Sequence, residues 1–420
     1  MAYSNSAALR AALPVGYRSL LLVVMVCLLA GIPGTALAEE LVGGTVTEIT
    51  LQGLRRTREE VVYDLLEVEV GDPVTPELLL SIEETLLDSE LFATVEVTGR
   101  AVAEEGVEVV ILLDEKWTLI PIPFFSTNGS TFQGGLILIE TNLLGRNKQL
   151  ISAGFFGNDG VRGFVAFADP AVFGSQWSTS VSAGAGRNDT ERLLPDDTLL
   201  RSFEFDQQRL GVNLGYNFTR RANVTAGLGY ERWRIISGES LEDTQFLEPS
   251  ISAEYDGTRP LDVLRVGPQV RLSGRTVTYR SGWEVAARGE WALPLFATHR
   301  FRMVGSGAIG EMPTVAERVI SGDGYRTLPF QAVSADSWGS ASGIYDLPIV
   351  SAGWGALVLS HFWEFGGYTN EEVDPRLFYG PGGGFRVYIR QVAIPALGLD
   401  VAYNIPDDGF VFSFSLGAQM

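Results

Sequence analysis

Cysteine is almost absent from this chain. Its 420 residues include one cysteine, Cys27, which lies inside the apolar run at residues 20–31 near the N-terminus. An exported protein without cysteine pairs cannot be a small secreted domain that disulfides hold together. The rest of the chain therefore offers neither a cysteine nucleophile nor a cysteine-based metal site.

Basic residues and histidine are also scarce. The chain has 31 Lys+Arg against 51 Asp+Glu and a net charge of −20, which disfavours nucleic acid as a partner because phosphate contacts need a basic face. A serine hydrolase would have to use His299 or His361, and Ser360 points to the opposite face of a strand from His361. No Gly-x-Ser-x-Gly motif and no paired histidine spacing occur. We therefore expect no enzyme, no metal site and no cofactor.

Beyond the N-terminus no apolar run is long enough to span a membrane as a helix. Arg10 and Arg18, the run at 20–31 and the Ala36-Leu37-Ala38 site together predict a signal peptide at residues 1–38. Hydrophobic residues nevertheless make up 46% of the chain, and 48 residues are glycine, a mixture suited to many short strands and turns. An apolar, exported chain without a spanning helix is typical of an outer-membrane barrel.

Residues 39–116 predict a small α+β domain with the element order β-α-α-β-β. Each predicted helix begins with a capping signal: Thr57 with Glu60 three residues later, and Thr75 with Pro76 at the first helical position. The predicted elements are a strand at 45–51, helices from Thr57 and Thr75, and strands at 92–98 and 107–113.

Residues 117–420 repeat a side-chain period of two, the period of a β-strand. The last strand places apolar residues on one face, namely Phe410, Phe412, Phe414 and Leu416. Small or polar residues mostly fill the other face, as in a barrel whose outer face meets lipid and whose inner face meets a lumen. About 19 residues per strand and turn give about 16 antiparallel strands. The predicted fold class is an all-β transmembrane barrel preceded by the small α+β domain; a large soluble sandwich is the alternative.

Several short motifs recur in the order of a known family. They are Gly53-Leu-Arg-Arg-Thr57, Gly71-Asp72, Leu91-Phe-Ala-Thr-Val95, Thr141-Asn-Leu-Leu-Gly-Arg146, Asp169-Pro-Ala-Val-Phe-Gly174, Trp363-Glu-Phe-Gly366, Gly380-Pro-Gly-Gly-Gly-Phe-Arg386 and Leu399-Asp-Val-Ala-Tyr403. The chain resembles the BamA-type outer-membrane assembly and translocation superfamily, also called bacterial surface antigens. Such proteins carry periplasmic POTRA domains of β-α-α-β-β order and a 16-stranded barrel.

The resemblance implies a location and partners. It places the barrel at 117–420 in the outer membrane of a Gram-negative-type bacterium and one POTRA-like domain at 39–116 in the periplasm. The implied function is insertion or translocation of proteins through a lateral seam. The implied partners are outer-membrane lipid, unfolded client proteins or a secreted partner, and periplasmic or lipoprotein partners. This chain departs from the family in having a single POTRA-like domain.

A second departure concerns the late loop, where the family keeps an Arg-Gly-Tyr/Phe motif that folds into the lumen. The corresponding residues here are Asp323, Gly324, Tyr325 and Arg326. Asp323 stands where the family has its arginine. If Arg326 takes over the lumen role, the resemblance makes Glu364 and Asp400 its candidate acid partners.

The resemblance also implies a seam between the first and last strands. Pro121 and Pro123 are two residues apart in the predicted first strand, so both missing N–H groups lie along one edge. If that edge faces the last strand, where Phe410, Phe412, Phe414 and Leu416 lie, the seam lacks two donors. The alternative is that both prolines mark an extended linker before the barrel.

Two further expectations complete the site predictions. A POTRA sheet edge, able to accept an extended peptide, would comprise Phe92, Thr94, Val95, Glu96 and Val97. Its alternative is a solvated edge protected by the charge of Glu96. The inward-facing row of Arg265, Arg271 and Arg275 is compatible with an alternative function, a channel that keeps the fold without insertase activity. Its other interpretation is a lumen lining whose positive charge is offset by acids such as Glu290.

Overall fold

The computed structural model describes residues 44–66, 68–103, 106–128, 131–158, 160–193, 199–238, 242–313, 316, 318–319, 326–328, 334–370, 373–390 and 396–416. The predicted signal peptide at 1–38, with Cys27, lies outside these ranges. Among the helices within them, none is both long and apolar enough to cross a membrane.

The N-terminal part has the predicted order of elements. These are β1 (Thr45–Gln52), α1 (Glu59–Leu65), α2 (Pro76–Asp88), β2 (Phe92–Ala103) and β3 (Gly106–Glu115). The three strands form one sheet in the order β1-β3-β2. Helix α2 begins as predicted, because the Thr75 hydroxyl accepts the backbone N–H of Leu78 at 3.1 Å.

The predicted capping box of α1 is wrong. The helix begins after Arg58, which makes no capping hydrogen bond through its side chain. The backbone N–H of Thr57 instead donates to Oε1 of Glu115 at 2.7 Å. A carboxylate from a distant strand therefore takes the donor that the sequence pattern assigned to local capping.

The described chain divides into two compact units. The smaller contains residues 44–50, 68–81 and 97–111, and the larger contains residues 51–66 and 82–96 together with the described residues after 111. The boundary between residues 116 and 117 stays a prediction.

A closed antiparallel barrel fills most of the larger unit. Its strands are β4 (Leu119–Asn128), β5 (Thr131–Glu140), β6 (Gln149–Gly157), β7 (Gly160–Asp169), β8 (Trp177–Leu193), β9 (Leu199–Thr219), β10 (Ala222–Gly238), β11 (Thr244–Asp256), β12 (Arg259–Leu261), β13 (Leu264–Thr276), β14 (Trp283–Leu295), β15 (His299–Glu311), β18 (Ser337–Ala352), β19 (Gly355–Asn370), β20 (Val373–Ile389), β21 (Ala396–Asn404) and β22 (Gly409–Leu416). Strands β16 (Arg318–Val319) and β17 (Ser334–Ala335) pair with each other in the connection between β15 and β18.

The barrel has sixteen strands in the described chain if the three-residue β12 is counted together with β11, because both pair with β13. Strand β22 closes on β4. The predicted fold class is confirmed. The alternation of side chains explains it: Leu210, Val212 and Leu214 of β9 are all about half exposed on the outer face, where a membrane barrel meets lipid.

Antiparallel order assigns every connection to one of two rims. We call the rim where β4 begins and β22 ends the lower rim, and the opposite one the upper rim. The connections β5–β6, β7–β8, β9–β10, β14–β15 and β18–β19 lie at the lower rim. The long connection from β15 to β18 lies at the upper rim.

Candidate functional site

Arg326 lies deep within the barrel. It belongs to the upper-rim connection between β15 and β18, and its relative exposure is 2%. Both oxygens of Glu364 in β19 accept its backbone N–H, at 3.1 and 3.0 Å. Oε2 of Glu364 also accepts the backbone N–H of Thr327 at 3.0 Å and its hydroxyl at 2.8 Å. Glu364 therefore holds the backbone of this connection against the inner wall.

The guanidinium of Arg326 has different partners. Its Nε lies 3.4 Å from Oδ2 of Asp400 in β21, and its central carbon lies 4.4 Å from the ring centroid of Phe362. Nη2 of Arg386 in β20 donates to the same Asp400 oxygen at 2.8 Å. Burial, then the charge of Arg386, lowers the pKa of Arg326 below its ordinary value, while Asp400 opposes this shift.

The structure thus brings Arg326, Glu364 and Asp400 together, but it divides their roles in a way the sequence did not indicate. Glu364 binds backbone groups, and Asp400 takes the side chain. Asp323, Gly324 and Tyr325 lie outside the described residues, so their predicted part in the late-loop motif stays a prediction.

A second buried ionic cluster lies on the same inner wall. Oδ2 of Asp346 in β18 accepts Nη2 of Arg300 at 2.8 Å and Nε of Arg302 at 2.9 Å. The Ser360 hydroxyl donates to Oδ1 of Asp346 at 2.6 Å. Nη1 of Arg302 lies 3.6 Å from Glu290. One carboxylate that is fully buried therefore compensates two neighbouring arginines.

Sequence reasoning missed several of these residues: Arg386, Phe362, Thr327, Arg300, Arg302 and Asp346. Arg386 ends a glycine-rich motif that the sequence singled out, and its alternation within a strand was a usable signal. The remaining pairs depend on the register between strands, which a single sequence does not specify.

The predicted arginine row has partners other than the one expected. Arg271 donates to Glu254 at 2.9 Å. Arg275 contacts Glu248 and Glu284, each at 3.1 Å. Glu290, which was expected to offset this row, lies beside Arg302 instead. Acids therefore offset the charges of Arg271 and Arg275 as expected, but they are Glu254, Glu248 and Glu284 rather than Glu290.

The orientation of Pro121 and Pro123 follows from one hydrogen bond. The backbone N–H of Thr141 donates to the carbonyl oxygen of Thr118 at 3.1 Å, and β4 pairs with β5 in unbroken register from Leu119 onward. In an antiparallel ladder, bonded and non-bonded residues alternate. Leu119, Pro121 and Pro123 therefore take non-bonded positions toward β5, and the two missing N–H groups face β22.

The described strands are short on this side of the barrel. Strand β4 has 10 residues and β22 has 8 described residues, and β5, β6 and β7 have 10, 9 and 10, whereas β9 has 21 and β20 has 17. A membrane-spanning β-strand needs about 9–11 residues. On β22, Phe410 and Phe412 are exposed and Val411 is buried. The side chains of Phe414 and Leu416 lie outside the described part of the structure.

Strand β2 lies at one edge of the N-terminal sheet. Within it, Phe92 and Val95 are buried, and Thr94 and Glu96 are exposed. Val97 is partly buried. Between Phe92 and Val97 the exposed side chains are therefore polar, whereas Val102 further along the strand is an exposed apolar residue.

Ser360 and His361 do not form a catalytic pair in this fold. Ser360 is buried and bound to Asp346, whereas His361 is exposed on the other face of β19. Among the described residues, no group of three His, Cys, Asp or Glu side chains is placed to hold a metal ion.

Comparison with known proteins finds a family model that matches part of the chain and solved structures that share its fold. Residues 142–303 match the Omp85 superfamily domain. No curated protein matches the chain. Among solved structures, CdiB from Acinetobacter baumannii is 14% identical with a TM-score of 0.61, covering 89% of this chain and 74% of that one.

Two further structures share the fold. BamA from Haemophilus ducreyi lacking POTRA domains 1–3 is 14% identical with a TM-score of 0.54, covering 88% of this chain and 83% of that one. CdiB from Escherichia coli is 10% identical with a TM-score of 0.55, covering 98% of both chains.

The closed antiparallel barrel of this chain is the fold of the BamA and CdiB structures. The Omp85 superfamily match over residues 142–303 and the fold shared with BamA and CdiB support the resemblance drawn from the sequence.

Proposed function

We propose that this protein assists the insertion or translocation of proteins at the outer membrane through the seam between β22 and β4. The observation that carries the proposal is the pair of prolines whose missing donors face the closing strand. Two absent hydrogen bonds weaken this closure, since each backbone bond contributes about 0.5–1.5 kcal/mol.

The short strands support the same role. From β21 through β22 and β4 to β7 the strands have 8 to 10 described residues, so the seam lies within the low side of the barrel. An edge exposed when the seam opens presents unpaired backbone groups, which accept the strand of an unfolded client by β-augmentation.

The N-terminal domain would act before the seam. We assign it the role of a single POTRA domain in the periplasm, where the edge strand β2 binds an extended segment of a client or of a periplasmic or lipoprotein partner. Its chemistry is backbone pairing, because an edge strand presents unpaired N–H and C=O groups to an extended peptide.

A channel is the second candidate, favoured by the arginines on the inner wall. Their pairing with acids argues against strong anion selectivity, since Arg271 and Arg275 each have carboxylate partners. We propose a non-enzymatic role, because Ser360 and His361 face apart.

Reconstitution distinguishes the two candidates. The purified protein is placed in liposomes, an unfolded barrel client is added, and protease protection of the client is followed. Empty liposomes and liposomes with an unrelated barrel of similar size are the controls. We expect faster insertion than in both controls. Steady ion conductance without faster insertion would replace the proposal with a channel.

A further inference from the structure

Three lower-rim connections hold a large apolar residue in left-handed backbone geometry. These are Leu144 (φ 57°), Phe173 (φ 53°) and Phe296 (φ 54°). Bulky L-residues seldom adopt this conformation, which costs free energy that glycine or asparagine avoids. Gly145 and Gly174 follow the first two with φ of 72° and 70°, a pair of left-handed positions for which Asn-Gly is preferred. The turns themselves therefore do not explain the leucine and the phenylalanines.

Packing within the chain does not explain them either. Leu144 is 76% exposed, Phe173 is 101% exposed and Phe296 is 84% exposed. An apolar side chain that is both strained and surrounded by water contributes little to folding. Within the chain, Nε of Arg58 donates to the carbonyl oxygen of Leu144 at 3.3 Å, and the Phe296 ring lies 5.3 Å from that of His299. These contacts leave the three apolar side chains largely exposed, so their burial has to come from outside the chain.

Aromatic residues continue from these turns along the outer surface. Trp177 begins the strand after Phe173, and its ring lies 5.0 Å from that of Tyr216. Tyr216 in turn lies 5.1 Å from Phe218, which is largely exposed at the end of β9. Tryptophan and tyrosine concentrate where a membrane protein meets the headgroup region.

The distribution of these residues identifies their partner. Exposed apolar side chains occur beside the start of β4 and at the connections β5–β6, β7–β8, β14–β15 and β18–β19, so they are spread around the rim. They are Trp117, Leu144, Phe173, Phe296 and Trp354. A docked protein would need them gathered on one side, whereas a lipid leaflet meets a whole rim.

We propose that Leu144, Phe173 and Phe296 insert into the lipid leaflet bordering the lower rim and fix the depth of the barrel in the membrane. Lipid contact supplies the burial that the folded chain does not give these side chains. The strained turns hold them beyond the ends of the strands, at the level of the headgroups.

Depth quenching tests this proposal. In a Cys27→Ser background, single cysteines replace Leu144, Phe173 or Phe296 and carry an NBD fluorophore in phosphatidylethanolamine–phosphatidylglycerol liposomes. Ser281→Cys is the matched control, because Ser281 is an exposed polar residue with φ of 54° in the β13–β14 connection, at the upper rim and away from the leaflet that borders the lower rim. We expect shallow spin-labelled lipids to quench the three labels at least about twofold more than the control, as for other interfacial side chains. Labels quenched by aqueous iodide as strongly as the control would overturn the proposal and leave protein docking as the explanation.

A second variant separates lipid contact from folding. The triple change Leu144→Asn, Phe173→Asn and Phe296→Asn suits left-handed backbone, so folding into detergent micelles should be unchanged. Folding into liposomes should slow by about tenfold or more, because apolar anchors are lost. Phe173→Trp with Phe296→Trp should fold into liposomes at the original rate. Equal rates for the triple variant and the unchanged protein in liposomes would contradict the proposal.

Discussion

Nε of Arg326 lies 3.4 Å from Oδ2 of Asp400, although the two residues belong to an upper-rim connection and to a strand 74 positions further along the chain. The same oxygen receives Nη2 of Arg386 at 2.8 Å. One buried carboxylate thus links the long connection to β20 and β21, the two strands next to the closing strand. The connection is therefore fixed to the wall beside the seam.

Arg326→Ala should destabilise the barrel by about 3 kcal/mol, because breaking a buried ion pair leaves its partner less compensated. Asp400 keeps Arg386, so the loss falls at the lower end of the range for buried pairs. Unfolding in urea, followed by tryptophan fluorescence in micelles, measures the change. Arg326→Lys keeps the charge but loses the planar contact with Phe362. Its free energy of unfolding should therefore lie between those of the unchanged protein and of Arg326→Ala. Unfolding curves that coincide for all three proteins would show that the pair contributes nothing.

Asp346→Asn should cost more than Glu290→Gln. Asp346 is fully buried and compensates the charges of both Arg300 and Arg302. Its neutralisation leaves the two arginines without this compensating charge and should lower the free energy of unfolding by about 3–5 kcal/mol. Glu290 lies 3.6 Å from Arg302, a longer distance than either arginine contact of Asp346. The same urea titration compares the two variants. A larger loss for Glu290→Gln would contradict the assignment of Asp346 as the central acid.

Replacing Pro121 and Pro123 by isoleucine should strengthen the seam. Each substitution restores an N–H donor facing β22, worth about 0.5–1.5 kcal/mol if bonded. The thermal midpoint in micelles should rise, and client insertion should slow. Pro268→Ile in β13 is the control, since it changes a strand proline away from the seam. Client insertion that is unchanged in the double variant would mean that the missing donors do not govern opening.

Trp233→Ala should remove a packed aromatic cluster on the inner face of β9, β10 and β11. Trp233 stacks on Phe205 at 4.0 Å and donates its indole N–H to Glu231 at 2.9 Å. Loss of this buried side chain should cost about 3–5 kcal/mol. Trp363→Ala is the matched control, because Trp363 is half exposed on the outer wall and should cost less in micelles. Similar losses for both variants would contradict the buried cluster.

The barrel was predictable because its signal repeats along the chain. Alternation in strands such as β9 determines which face meets lipid, and many such strands agree with one another. The order β-α-α-β-β was visible for the same reason. The start of α1 could not be predicted from the local pattern, because the backbone N–H of Thr57 donates to Glu115, which lies far away in sequence.

The lumen contacts were only partly predictable. Asp400 and Glu364 were named as acids near Arg326, yet the division between side-chain and backbone binding depends on how the upper-rim connection enters the barrel. Arg271 contacts Glu254 because the register between β11 and β13 places the two residues opposite each other, and sequence alternation alone does not fix this register. The sequence therefore indicated which residues face inward but not which of them contact one another.

A reversible lock of the seam tests the central claim most directly. In a Cys27→Ser background, Pro121→Cys is combined in turn with Phe410→Cys, Phe412→Cys and Phe414→Cys, and the pair that forms a disulfide is reconstituted with an unfolded barrel client. Pro121→Cys with Leu138→Cys is the control, because it ties the same residue to its partner in β5. We predict that oxidation stops client insertion only in the seam pair and that reduction restores it. Insertion that continues at the same rate through the locked seam would contradict the account.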